Sequence, residues 1–295
     1  MDRTDTATAR RILAWANTLH GTRFRLVRRL SGGFQSGTWL VRADEEQHEI
    51  GVFKWSPDRA WASQIIRGAR AVELAREAGY PTPAWVARGV AGSGLAYHIQ
   101  EYVPGRKNTR LTLEVAETLT GVIERHDSLD VDPGRCWSQY VQGQLAGGWD
   151  DARYAIAQAC TAGSRFVASV DALVAAFGDV ELPTGDLVHG DFRLGNVLFR
   201  SAQVAAVIDI EALGSGTRVY DYATLLTEDD VDPAGWEFIR AAGAQVAGTG
   251  VLARCFALVA VELADFVRWR APERLSGVVE TLTVRVQTLM RDVRT

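Results

Sequence analysis

The scarcest charged residue in this chain is lysine. Of its 32 basic residues, only Lys54 and Lys107 are lysines, and the rest are arginines. Lys54 lies in a run with a β-strand pattern, and a compact ammonium reaches phosphate oxygens differently from a planar guanidinium. We therefore take Lys54 as a candidate phosphate-binding residue, with an ordinary solvated strand lysine as the alternative.

Cysteines are also few, and long apolar runs are absent. Cys136, Cys160 and Cys255 are far apart and lack metal-ligand spacing, so we predict reduced, mostly buried thiols in a cytoplasmic protein. The polar N-terminus lacks the apolar core of a signal peptide. No segment approaches the ~20 apolar residues of a membrane span, which predicts that a membrane is not a partner.

The chain has no excess of positive charge either. Its formal net charge is -4, so nucleic acid is not an expected partner. Mild acidity suits a cationic small substrate, although many proteins share it. At 295 residues with 47% hydrophobic residues, the chain can form two lobes around a sizeable core, as a monomer or a homodimer.

The most informative stretch runs from Leu187 to Phe199. Two short apolar runs with β-strand character flank a polar loop that holds Asp191, Arg193 and Asn196. Asp191 and Asn196 have the spacing of a kinase catalytic loop, in which the Asp accepts the hydroxyl proton and the Asn binds a metal ion. Arg193 is predicted to lie near the γ-phosphate. The alternative is a β-hairpin whose loop is polar by chance.

A second motif follows at Val204 to Glu211, where an apolar run ends on Asp209. We predict that Asp209 is the second metal ligand, in the role of the D-F-G aspartate. The pair of motifs, His189-Gly190-Asp191 with Asn196 and then Ile208-Asp209-Ile210-Glu211, resembles the aminoglycoside phosphotransferase and choline kinase-like superfamily.

This resemblance implies an α+β, protein-kinase-like fold with two lobes. A small N-terminal lobe of antiparallel sheet and helices, residues 1–103, would bind ATP, with GTP as an alternative, and Mg²⁺. A larger, mainly helical lobe, residues 104–295, would carry the catalytic loop and the acceptor site.

The predicted N-terminal lobe contains a glycine-rich turn between two strands. Its Gly32, Gly33 and Ser36 resemble a nucleotide-covering hairpin, in which backbone N–H groups approach phosphates, although such a stretch is often only a turn. A helix from Thr4 to about Leu19 is predicted to bury Ile12, Trp15 and Leu19. Strands are predicted at 23–30, 38–43, 48–55, 84–90 and 95–102, with a helix capped by Ser56 and ending at Ala78.

By the same resemblance, the carbonyl of Glu101 and the N–H of Val103 would bind the adenine edge at an interlobe hinge. The sequence departs from the family at Gly68, where relatives carry a Glu that pairs with the lysine. Glu73 is a substitute only if the helix is rotated or broken, because it lies roughly 140° around the helix from that position. The partner of Lys54 is therefore left open.

The predicted C-terminal lobe is mainly helical. Its helices span 111–129, 152–177, 233–246, 251–270 and 272–294, and His126 is expected to be a surface or helix C-terminal residue. By resemblance, Asp221 buttresses the catalytic loop. Candidate acceptor residues are carboxylates with one aromatic: Glu228, Asp229, Asp230, Asp232, Glu262, Asp265 and Trp269.

These features predict an ATP- and Mg²⁺-dependent O-phosphotransferase that modifies a small molecule. The leading acceptor is a cationic antibiotic, an aminoglycoside or a cyclic peptide, whose modification confers resistance. For each acceptor residue the alternative is a solvated acidic face. For the whole chain the alternatives are a metabolic kinase acting on choline, homoserine or a sugar, and a catalytically inactive nucleotide-binding regulator.

Overall fold

The computed structural model describes residues 4–30, 37–43, 50–92 and 94–292. The chain forms two compact units. The first comprises Met1–Arg106 and Leu198–Leu213, and the second comprises Lys107–Val197 and Gly214–Thr295. The segment that contains Asp209 therefore belongs to the first unit, although it follows the predicted catalytic loop in the sequence.

A five-stranded antiparallel sheet forms the centre of the first unit. Its strands are β1 (Phe24–Arg29), β2 (Gly37–Ala43), β3 (Ile50–Ser56), β4 (Trp85–Val90) and β5 (Ala96–Glu101), in the order β1-β2-β3-β5-β4. In the β3–β5 pair, Lys54 lies directly opposite His98. Because directly opposed residues point to the same face of a sheet, this register places the two side chains side by side.

Helix α1 (Thr6–His20) packs against this sheet through a stripe of small and aliphatic residues. Ile12 is buried as predicted, together with Ala9, Leu13 and Ala16. The prediction was wrong for Trp15 and Leu19, which are 48% and 61% exposed. The buried stripe follows the i, i+3, i+4, i+7 spacing of one helix face, and Trp15 and Leu19 lie beside it.

Helix α2 (Arg59–Glu77) begins two residues later than predicted. Its N-cap is Asp58, whose carboxylate accepts a hydrogen bond from the backbone N–H of Ala60 at 2.8 Å. Ser56 is the last residue of β3, and its hydroxyl accepts a hydrogen bond from the N–H of Asp58 at 3.2 Å. The predicted Ser56 cap was therefore wrong by two residues, although the helix itself was found.

The second unit is mainly helical, with a buried central helix. Residues 251–261 of that helix are all buried, and six other described helices contact it. The helices are α3 (Leu113–Ile123), α4 (Trp137–Gly143), α5 (Asp150–Ala159), α6 (Thr161–Phe177), α7 (Val219–Leu225), α8 (Pro233–Ala247), α9 (Thr249–Arg270) and α10 (Leu275–Arg291), of which α9 is central.

The single helix predicted over 152–177 is in fact α5 and α6. Cys160 between them is fully extended, with φ -164° and ψ 160°. At Gly163 a Cβ atom would lie 2.2 Å from the carbonyl oxygen of Ile156, so the start of α6 approaches α5 too closely for a side chain. The expectation of mostly buried cysteines was also wrong, since Cys136 and Cys160 are partly exposed and only Cys255 is buried.

Short strands surround the predicted catalytic loop. β6 (Asp186–Val188) pairs with β9 (Gly214–Gly216), and β7 (Val197–Arg200) pairs with β8 (Gln203–Val207). The two runs that flank the loop therefore do not pair with each other, so they do not form the β-hairpin that was the alternative interpretation of this stretch. Among the described helices, none is long and apolar enough to cross a bilayer.

Candidate active site

The predicted catalytic loop follows β6, and its backbone lies against the indole ring of Trp137. Gly190 has φ +82°, a conformation that favours glycine, and a Cβ atom there would lie 2.1 Å from Cζ2 of Trp137. Trp137 in turn packs against the Tyr220 ring at a centroid distance of 4.7 Å. Only glycine fits between the loop backbone and this aromatic pair.

A buried carboxylate fixes the start of the loop. Asp221 of α7 is 0% exposed and accepts hydrogen bonds from the N–H groups of His189 at 2.8 Å and Gly190 at 3.0 Å. Nδ1 of His126 lies 3.3 Å from the same carboxylate. Asp221 thus makes the buttressing contacts that the resemblance implied. His126 is fully buried, so its predicted surface location was wrong; the predicted helix ends at Ile123, and a 3-10 turn carries His126 inward.

The polar residues of the loop converge on Asp191. Its carboxylate accepts one hydrogen bond from Nε of Arg193 at 2.8 Å and one from the amide nitrogen of Asn196 at 2.9 Å. The Asp191 side chain is 49% exposed, so it is oriented and still open to solvent. Arg193 also donates to the hydroxyl of Thr227 at 3.2 Å. Because Asn196 donates through its nitrogen, its amide oxygen is the atom that it can offer to a metal ion.

In the first unit, Lys54 is the centre of a separate charged cluster. Its Nζ donates to the carboxylates of Asp209 and Glu211, the latter at 2.8 Å, and Nε2 of His98 donates to the same Glu211 oxygen at 3.0 Å. Asp209 has φ +62°, which is uncommon for a residue with a side chain and is found most often at functional sites.

The charges in this cluster stabilise one another. Burial lowers the pKa of Lys54, but the adjacent Asp209 and Glu211 carboxylates outweigh it and raise that pKa above its usual value. Burial raises the pKa of Glu211, yet Lys54 and His98 bring it well below the usual range. Burial also lowers the pKa of His98, although its hydrogen bond with Glu211 acts in the opposite direction.

Neither of the two α2 positions considered in connection with the partner of Lys54 supplies a carboxylate to it. Gly68 has no side chain, and Glu73 is half exposed and pairs with Arg70 at 3.5 Å and Arg88 at 3.8 Å. The predicted nucleotide residues Gly32, Gly33 and Ser36 fall outside the described residues. Glu101 is the last residue of β5, and Val103 follows two residues later.

Two of the predicted acceptor residues lie near the loop of the second unit. Glu262 accepts hydrogen bonds from the hydroxyls of Tyr140 at 2.6 Å and Tyr220 at 3.0 Å, and its charge interacts with Arg193 and Asp191. Burial raises its pKa above the usual value. Glu228 accepts a hydrogen bond from the N–H of Leu194 at 2.8 Å, so it supports the loop, and burial raises its pKa as well.

The remaining acceptor candidates have other partners. Asp229 pairs with Arg274 at 2.9 Å, Asp230 with Arg110 at 3.6 Å, and Asp265 with Arg268 at 2.7 Å. Asp232 is the N-cap of α8. Trp269 is 74% exposed, with the Arg268 guanidinium 5.6 Å from its ring centroid.

Sequence reasoning assigned no role to Glu211, His98 or Trp137. Glu211 lies in the motif that carries the resemblance, and its charge directly after an apolar run is a usable signal. His98 alternates with apolar residues in a strand, which does not distinguish a buried polar residue from an exposed one. Among the described residues, no group of three or more His, Cys, Asp or Glu side chains has metal-binding geometry.

Known structures with a kinase-like phosphotransferase fold match this chain. A thermostable mutant of aminoglycoside phosphotransferase APH(4)-Ia is 15% identical, with a TM-score of 0.65 over 89% of this chain and 95% of that one. An amicoumacin kinase bound to AMP-PNP and Ca²⁺ is 13% identical, with a TM-score of 0.65 over 96% and 94%. A macrolide 2'-phosphotransferase from Brachybacterium faecium is 14% identical, with a TM-score of 0.59 over 92% and 97%.

These likenesses confirm the predicted α+β, kinase-like fold class. The profile of the phosphotransferase enzyme family matches residues 26–258, and the chain belongs to that family. It is a small-molecule phosphotransferase. No curated protein sequence matches it significantly.

Proposed function

We propose that this protein transfers the γ-phosphoryl group of ATP to a hydroxyl of a cationic small molecule, with Mg²⁺ as the metal. The observation that carries the proposal is the arrangement around Asp191, whose half-exposed carboxylate is held by Arg193 and Asn196. Phosphoryl transfer depends mainly on positioning and on charge stabilisation, and this loop supplies an acceptor for a proton beside a fixed guanidinium.

Asp191 is assigned to the acceptor hydroxyl. A carboxylate oriented by two hydrogen bonds can accept the hydroxyl proton and hold the oxygen in line for attack. Arg193, hydrogen-bonded to Asp191 and Thr227, is fixed where its positive charge can stabilise the transferring oxygens. Asp221 and Gly190 act on this chemistry indirectly, by holding the backbone of the loop.

The chemistry of Asp209 and Asn196 fits Mg²⁺. This ion prefers oxygen ligands and is commonly bound by one or two carboxylates together with substrate phosphates. Asp209 offers a carboxylate that is 36% exposed, and Asn196 offers its amide oxygen. When bound, the metal would neutralise phosphate charge.

Lys54 is assigned to the nucleotide phosphates, and the backbone of Glu101 and Val103 to the adenine. Support for a nucleotide comes from similar structures: one APH(4)-Ia complex contains ADP and hygromycin B, and the amicoumacin kinase contains AMP-PNP. The glycine-rich stretch with Gly32, Gly33 and Ser36 remains a prediction for phosphate contacts, as does ATP in preference to GTP.

Glu262 favours a cationic acceptor. Its two hydrogen-bond partners are neutral phenols, and Arg193, the cation that acts on it, is already hydrogen-bonded to Asp191. An amine on the acceptor would supply a counter-charge for this buried carboxylate. An aminoglycoside or a cationic peptide antibiotic has such amines, and phosphorylation of a hydroxyl of that antibiotic would give resistance. Choline is the cationic acceptor in the alternative of a metabolic kinase.

A catalytically inactive nucleotide-binding regulator was favoured only by Gly68, which removes the expected partner of Lys54. The contact between Lys54 and Glu211 at 2.8 Å removes that support, because the lysine has a buried carboxylate partner. We therefore propose an active enzyme.

The test is a mass-spectrometric screen with ATP, Mg²⁺ and a mixture of aminoglycosides, cyclic peptide antibiotics, choline, homoserine and sugars. We expect one amine-bearing acceptor to gain one phosphoryl group. A product only with an uncharged sugar would contradict the cationic acceptor, and ATP binding without any product would contradict the proposed reaction. Asp209→Ala should weaken Mg²⁺-ATP binding, and unchanged nucleotide affinity would refute its metal role.

A further inference from the structure

We propose that Glu211 is a positioning residue that holds the Lys54 ammonium for the nucleotide phosphates, and that His98 holds Glu211. The inference rests on the proposed function, since it assigns the partner of a lysine that this function requires. It places the counter-charge of Lys54 in the segment that follows Asp209, and not on α2.

The two carboxylates that contact Lys54 differ in burial. The Lys54 side chain is 8% exposed and that of Glu211 is 9% exposed, whereas that of Asp209 is 36% exposed. A solvent-exposed carboxylate can rotate to bind a metal ion. If a buried carboxylate left its partner, both charges would remain unpaired in a low-dielectric interior. Glu211 is therefore the constant partner of Lys54, and Asp209 is the one free to change partners.

The Glu211 carboxylate is itself held by two hydrogen bonds. Its Oε1 accepts from Lys54 Nζ at 2.8 Å and from His98 Nε2 at 3.0 Å. His98 is fully buried and packs against the rings of Trp61 and Trp85, with centroid distances of 5.7 and 4.7 Å. Packing and a hydrogen bond together fix the imidazole, which in turn orients the Glu211 carboxylate.

The register of the sheet brings Lys54 and His98 side by side. Lys54 on β3 and His98 on β5 are directly opposed residues in neighbouring strands, so their side chains leave the sheet on the same face. Glu211 then bridges both side chains through one oxygen atom. Three residues from three separate parts of the sequence thus form one buried polar cluster within the first unit.

Helix α2 lies beside this cluster at Gly68. At Gly68 a Cβ atom would lie 3.6 Å from the carbonyl oxygen of Glu211, which is ordinary van der Waals contact. A side chain at position 68 would therefore enter the surroundings of Glu211. The glycine leaves that space to the 210–212 turn, while Glu73 pairs with Arg70 and Arg88 on another side of the helix.

The experiment compares Glu211→Gln with Glu77→Gln, an exposed glutamate at the end of α2. We expect Glu211→Gln to lower kcat about a hundredfold, because a misplaced ammonium loses contact with charge that develops during transfer. His98→Phe should lower kcat in the same direction by a smaller factor. Glu77→Gln should match the wild type. Each variant is checked for its melting temperature, and kcat and KM are measured for ATP and for Mg²⁺ separately.

A rescue experiment separates positioning from a purely structural role. Gly68→Glu is introduced into Glu211→Ala, with Gly68→Gln in the same background as the matched control. We expect the glutamate to restore kcat at least tenfold over Glu211→Ala and the glutamine to restore little. Equal activity of the two double variants would overturn the inference, because transfer would then not depend on a carboxylate beside Lys54.

Two other results would also overturn the inference. One is wild-type kcat in Glu211→Gln. The other is recovery of this variant at high Mg²⁺ with a raised KM for Mg²⁺, which would make Glu211 a metal ligand. Wild-type turnover is the control on the proposed function: if the wild type transferred no phosphoryl group, that function would fail, whereas active wild type with equally active variants would refute only the role of Glu211.

Discussion

The buried carboxylate of Asp221 gives the most quantitative prediction. Asp221→Asn keeps the size of the side chain but replaces one acceptor oxygen with an NH₂ group. One of the two backbone N–H groups that now donate at 2.8 and 3.0 Å would then face another donor. The substitution acts on the contacts of Asp221 with the start of the predicted catalytic loop and with the buried His126.

The magnitude follows from the hydrogen bonds lost. A hydrogen bond to a charged group contributes about 1.5–3 kcal/mol, and a buried donor left unpaired costs a further amount of similar size. With one bond removed and the other converted to a neutral bond, we expect a loss of about 3 kcal/mol in the free energy of unfolding. At about 2–4 °C per kcal/mol for proteins approaching this size, the melting temperature should fall by about 6–12 °C.

The assay is urea and thermal unfolding of Asp221→Asn beside Asp230→Asn. Asp230 is 61% exposed and its pair with Arg110 spans 3.6 Å, so its substitution should change stability by no more than about 0.5 kcal/mol. Phosphoryl transfer by Asp221→Asn should also fall, because the loop that holds Asp191 loses its support. A loss below about 1 kcal/mol would refute the reasoning that Asp221 holds the loop.

Two further predictions concern the same unit. Gly190→Ala should destabilise the protein by at least about 2 kcal/mol, because its Cβ atom would overlap Trp137 and its φ is +82°; Gly195→Ala, with open space at its Cβ, is the control, and equal melting temperatures would contradict this. Burial raises the pKa of Glu262, so the folded state retains the carboxyl proton to higher pH than the unfolded state does. The free energy of unfolding should therefore decline as pH rises from the unfolded-state pKa of Glu262 through its raised folded-state pKa. Glu262→Gln should flatten this decline in urea unfolding measured across pH, and an unchanged slope would argue against it.

Local patterns predicted much of the fold. The strands β1 to β5 and helices α8 and α9 were found within about two residues where the structure describes them, and α8 has the further signal of an Asp232 cap followed by a proline. The contact between Asp191 and Asn196 could be anticipated because one short loop carries both residues. These features depend on residues close together in the sequence.

The errors concern features that depend on distant contacts. The pairing of β6 with β9 joins segments that no local pattern connects. The break at Cys160 reflects close approach of α5 and α6 at Gly163, which only the packed structure reveals. The burial of His126 likewise depends on a partner, Asp221, far along the chain.

The partner of Lys54 was left open for the same reason. Glu211 is far from Lys54 in sequence, and its contact arises because the segment from Leu198 to Leu213 belongs to the first unit. A boundary drawn at one point in the sequence, such as 103/104, assigns the two residues to different lobes. Recognising the pair requires the path of the chain in space.

The most direct test of the central claim is phosphoryl transfer by Asp191→Ala, measured with the acceptor found in the screen and alongside nucleotide affinity. We predict that transfer falls by about 10²- to 10⁴-fold, the usual contribution of a positioned base, while ATP affinity stays nearly unchanged. Near-normal transfer would show that Asp191 does not serve the acceptor hydroxyl, and it would contradict the mechanism proposed for this loop.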